Sequence, residues 1–92
     1  MSYQILYSDT YIRRVKKCFL KHPDLEKSYQ KILCLLEENP NHPSLRLHAL
    51  HGGLQGLFSI SINLKFRLTL QVLIQKNALI LIDIGSHDEV YR

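Results

Sequence analysis

Cysteine is scarce in this sequence. The 92 residues include only Cys18 and Cys34, which have neither CxxC spacing nor a partner cluster, so no cysteine-built zinc site is available. Both thiols fall in predicted helices near apolar positions and are expected to be small buried side chains. Two thiols and no signal-like N-terminus point to a reducing, cytoplasmic setting. No apolar run approaches the length of about 20 residues that a membrane span needs. Internal repeats, low-complexity tracts and linkers are also missing, so residues 1–92 are expected to form a single domain. There is no glycine-rich phosphate loop, no HExxH pair on a helix and no helix-turn-helix reader. The five histidines are therefore expected at the surface rather than around a metal, and neither metal nor cofactor is anticipated.

A 46% apolar composition supports one small core. The formal charge is +4, and it is unevenly spread. Residues 1–31 carry seven Lys/Arg against three Asp/Glu, residues 32–64 one against two, and residues 65–92 four against three. A basic first third calls for a polyanionic or acidic partner, either nucleic acid or an acidic peptide.

The stretch from Leu57 to Ile84 organises the chain. Phe58, Ile60 and Ile62 alternate with Ser59, Ser61 and Asn63; Phe66, Leu68, Leu70 and Val72 alternate with Lys65, Arg67, Thr69 and Gln71. Period two predicts half-buried strands, so Leu57–Ile62, Phe66–Ile74 and Ala78–Ile84 read as a three-stranded antiparallel meander joined by tight breaks. Leu79–Ile82 is apolar throughout, as expected of a strand covered on both faces. The polar face should present Ser59, Ser61, Lys65 and Arg67.

Upstream, Tyr3–Tyr7 reads as a first strand, followed by Ser8 as a helix N-cap. Ile12, Val15, Phe19 and Leu20 predict one apolar helical stripe; Leu25, Tyr29, Ile32, Leu33 and Leu36 predict a second. The fold class is thus α+β: an N-terminal strand, an αα-hairpin, then the meander, with the helices packed on one sheet face. Leu45, Leu47 and Leu50 suggest a short extended segment, Gly53 and Gly56 a turn, and Ser86 a cap for a final helical turn carrying His87 and Tyr91 on one face.

Metal-free cleavage of RNA fits these residues best. It needs a base for the 2′-hydroxyl, an acid for the leaving 5′-oxygen and cations for the phosphate. Histidine titrates near working pH, and arginine offers a planar fork to two phosphate oxygens. The candidates are His48, His87, Arg46 and Arg67, with Lys65 as a further cation and Tyr91 as a stacking or hydroxyl group.

The element order resembles that of the RelE/ParE superfamily of toxins from bacterial type II toxin–antitoxin modules, over nearly the whole chain. The specific fragments are Leu47-His48-Ala49-Leu50-His51-Gly52, the run Gly56–Asn63, Phe66-Arg67-Leu68 and Asp83–Tyr91. The closing Gly85-Ser86-His87-Asp88-Glu89-Val90-Tyr91 is similar to the YafQ-type branch. This resemblance implies an mRNA interferase, an endoribonuclease that cuts messages on the ribosome and is held inactive by a cognate antitoxin in a hetero-oligomeric complex. It implies catalytic roles for His48, Arg67 and His87, and substrate binding by Tyr91, with Arg46 and Lys65 as neighbouring phosphate contacts. The antitoxin segment, extended or helical, is expected on the helical hairpin or an exposed sheet edge. Where YafQ-like enzymes carry acidic and histidine groups, this chain has Ser59, Ser61 and Lys65. That leaves His48 and His87 to share the base and acid roles, in either order. Other readings of the same fold are a ParE-like inhibitor of DNA gyrase and a non-catalytic basic module of a toxin–antitoxin complex.

Overall fold

The computed structural model describes residues 3–50 and 56–86. Strand β1 (Gln4–Tyr7) leads into helices α1 (Asp9–Lys21) and α2 (Leu25–Glu38). A 3₁₀ turn at Pro43–Leu45 precedes the short β2 (His48–Ala49), and β3 (Phe58–Ser61), β4 (Phe66–Leu73) and β5 (Ala78–Ser86) follow. The five strands form one sheet in the order β1-β5-β4-β3-β2. Strands β2 to β5 pair antiparallel, as the meander predicts, while β1 joins the far edge parallel to β5. A parallel partner needs a long crossover, and the αα-hairpin supplies it.

Ser8 caps α1 by accepting the Tyr11 N–H at 3.2 Å, which satisfies one orphan donor of the first turn. Asp9 and Lys21 place the favourable charges at the two ends of that helix. Leu25, Tyr29, Ile32 and Leu36 of α2 are buried as expected. They meet Ile60, Leu68, Leu70, Leu79 and Leu81 from one face of the sheet. The Tyr3 N–H donates to the Glu37 carbonyl at 2.8 Å and so ties the entry of β1 to the end of α2.

Several expectations are corrected. In α1 Val15 is buried and Phe19 packs against the core as predicted, whereas Leu20 is 83% exposed and Tyr11 takes a fully buried place. A tyrosine can occupy that place because its phenol meets the Tyr29 hydroxyl at 2.9 Å inside the core. Strand β5 is not covered on both faces. Leu79 and Leu81 are buried, but Ile82 is 40% exposed, since both helices pack on the same side. Cys18 is half-buried and Cys34 is exposed, on the flank of the α2 stripe rather than in it. Leu45 belongs to the 3₁₀ turn, started by Pro43 and ended by Arg46 in the left-handed region at φ 53°, so the extended segment shrinks to two residues. Gly56 adopts φ +88°, which suits the glycine of the predicted turn; Gly53 lies outside the described residues.

Candidate functional site

Register builds the candidate site. His48 lies directly opposite Ser59, Ser59 opposite Thr69, and Ser61 opposite Arg67. Directly opposed residues share a sheet face, and so do residues two apart on one strand. His48, Ser59, Ser61, Arg67 and Thr69 therefore stand on the face away from the helices. The alternation predicted this set only in part: Ser59 and Thr69 are buried, not presented to solvent.

Beside them a groove of about 290 Å³ is lined by Ser44, Arg46, Ser61, Ile62, Asn63, Leu64 and Arg67. Among the described residues two guanidinium groups and no carboxylate line it, a lining that favours an anion. Arg67 is held in place by its own hairpin: Nη1 donates to the Asn63 carbonyl at 2.7 Å and to the Phe66 carbonyl at 3.1 Å. Its Nη2 and Nε have no partner among the described residues and can serve as a fork for two oxygens. Asn63 shapes that hairpin, because its Oδ1 accepts the backbone N–H groups of Lys65 and Phe66 at 2.9 and 2.8 Å. Across the groove, the left-handed backbone of Arg46 turns the chain from the 3₁₀ turn toward β2.

His48 is tied to the same turn. Its Nδ1 lies 2.9 Å from the Arg46 carbonyl, which can only accept, so Nδ1 carries the proton. In the neutral ring the lone pair then sits on Nε2. Among the sequence-derived candidates the structure thus brings Arg46 and Arg67 to one groove, with His48 bonded to the Arg46 carbonyl beside it. Lys65 goes elsewhere: its ammonium stands 5.7 Å from the Phe66 ring centroid, and Phe66 belongs to the helix-side core. His87 and Tyr91, and the helical turn meant to carry them, lie outside the described residues. The sequence pattern assigns Asn63 only to a break, although an Asn three residues before a strand is a recognisable turn signal. Among the described residues no three His, Cys, Asp or Glu side chains gather as a metal site would require. None of the described helices is long and apolar enough to cross a membrane.

Comparison with known proteins places the fold. No protein-family model matches the chain, and no curated protein sequence does. Solved structures do match. YafQ from E. coli superposes with a TM-score of 0.80 at 21% identity, covering 98% of this chain and 99% of that one. The E. coli DinJ–YafQ toxin–antitoxin complex gives a TM-score of 0.78 at 22% identity over the full length of both chains. A metal-bound toxin from Helicobacter pylori gives 0.73 at 29% identity, covering 98% of this chain and 99% of that chain.

Proposed function

Starting from the RelE/YafQ-like toxin fold that this chain has, we propose that it is the toxin of a type II toxin–antitoxin module. We read it as an mRNA interferase that cuts messages on the ribosome, and hence works in the cytoplasm. The observation that supports this reading is a groove lined by Arg46 and Arg67, with no carboxylate among the described residues, beside which His48 is tied to the Arg46 carbonyl.

In the proposed reaction His48 Nε2 takes the proton of the 2′-hydroxyl, and the freed oxygen attacks the adjacent phosphorus. The 5′-oxygen leaves with its electron pair and is protonated by His87. The products are a 2′,3′-cyclic phosphate and a free 5′-hydroxyl. Arg67, pre-aimed by the Asn63 and Phe66 carbonyls, donates to the phosphate oxygens as charge builds on them; Arg46 adds a second cation. Tyr91 is assigned to the bases beside the cut, and a cognate antitoxin would hold the toxin inactive in a hetero-oligomer.

Message cleavage in a purified translation system, mapped by primer extension, tests the proposal. Ribosome-dependent cuts should fall by about 10²–10³-fold in Arg67→Ala, the usual effect of removing one transition-state donor. His48→Ala and His87→Ala should fall at least as far. If the wild type leaves messages uncut, the enzyme reading is wrong, and gyrase inhibition becomes the next assay.

A further inference from the structure

A second cleft, of about 380 Å³, opens on the helix side of the sheet. Arg14, Lys17, Lys21 and His22 form one wall, and Phe66, Asp83, Ile84 and Gly85 form the floor. The three long cations recur at i, i+3 and i+7 along α1, which aligns them on one face over about 10 Å of helix. Arg14 is spent on Asp83, Nη1 to Oδ2 at 2.9 Å. Lys17 and Lys21 have no carboxylate within salt-bridge reach among the described residues. Lys65, whose ammonium stands over the Phe66 ring, adds a cation beside the floor.

Two polyanions have matching charge, an acidic peptide and a nucleic-acid strand, and the strand edge separates them. Strand β1 accompanies β5 only as far as Leu81, so the outer edge of β5 beyond that residue has no neighbouring strand among the described residues. An extended peptide would add there through main-chain hydrogen bonds. The Ile84 N–H, however, already donates to Asp83 Oδ1 at 2.8 Å, and Arg14 holds that carboxylate in place. The edge is capped where an added strand would dock. What remains is a row of uncommitted ammonium groups, which suits the repeating charge of a phosphate backbone.

We infer that this cleft binds the phosphate backbone of a single-stranded nucleic acid through Lys17 and Lys21, apart from the groove of Arg46 and Arg67. The inference deepens the RNA-directed reading above, but it is tested without cleavage. The probe is a fluorescent 12-mer of deoxyuridylate, which lacks the 2′-hydroxyl and so cannot be cut. Its anisotropy is followed against the full chain from 50 to 300 mM salt. The wild type should bind with an affinity that falls with salt, and the double variant Lys17→Gln/Lys21→Gln should lose about 1.4 from the slope of log affinity against log salt. Thermal melting of the variant, with Lys16→Gln/Lys27→Gln as an equal-charge control, separates loss of a site from loss of fold or net charge. An unchanged slope in the Lys17/Lys21 variant, or an equal loss in the control, overturns the inference. Competition by oligoglutamate as effective as by oligouridylate also overturns it, in favour of an acidic peptide. Arg67→Ala should lose message cleavage yet keep the Lys17/Lys21-dependent slope, so the two sites can fail independently.

Discussion

The two faces of the sheet solve the same polar problem in opposite ways. On the helix side Ile60, Leu68, Leu70, Leu79 and Leu81 are sealed from water, and the buried hydroxyls of Tyr11 and Tyr29 satisfy each other. On the other side Arg67 is tied to main-chain carbonyls through Nη1 alone, and Ser59 Oγ is buried with no partner among the described residues. A face whose polar groups close on each other is built to stay shut. One whose donors are aimed but not saturated is ready for a ligand.

Neighbours on β4 give the sharpest test of that division. Leu68→Ala should destabilise the fold by about 2–5 kcal/mol, the usual cost of truncating a sealed leucine. Arg67→Ala, one residue away on the opposite face, should shift the denaturation midpoint by a small fraction of that. Equal losses in urea melts would mean that both faces are structural. Next in size is the tyrosine pair. Burial pushes both phenols above the ordinary tyrosine value of about 10. The folded chain therefore holds these protons more tightly than the unfolded chain does. The pair's contribution is complete below that pH and is lost as pH rises above it. Between pH 9 and 11, wild-type stability should fall more steeply than that of Tyr11→Phe/Tyr29→Phe. Tyr11→Phe alone should cost about 1–3 kcal/mol at neutral pH by leaving the Tyr29 hydroxyl unpaired.

The elements of the helix side were legible because apolar period is a local signal: Leu25, Tyr29, Ile32 and Leu36 mark α2 and its buried face without any knowledge of partners. Tyr11 was missed because an amphipathic phenol counts as core only when another element offers it a hydroxyl. Ile82 was misread because whether a second layer covers a strand is a tertiary fact. On the other face, residue types point to Arg67, Arg46 and His48, but that His48 and Arg67 share a face depends on the registers of β2, β3 and β4, which no short window contains. Lys65 shows the limit. Its place in the period-two pattern predicted the polar face, but the Asn63 turn takes it out of the strand and its ammonium sits over Phe66.

Ser59 makes the smallest prediction and the most discriminating one. Its side chain is fully buried, directly opposite His48 and Thr69, and its hydroxyl has no hydrogen-bond partner among the described residues. In a core built only for stability, an orphaned hydroxyl is a cost of about 1–3 kcal/mol, so removing it should help. Ser59→Ala should therefore leave the urea midpoint unchanged or raise it slightly, the reverse of Tyr11→Phe, although both delete one buried oxygen. A destabilisation as large as that of Tyr11→Phe would mean that Ser59 is bonded in solution, and the contrast between a closed and an unsaturated face would fail at its centre. If Ser59→Ala is stability-neutral and yet slows message cleavage, the unsatisfied hydroxyl is part of the site, retained beside His48 at the expense of the fold.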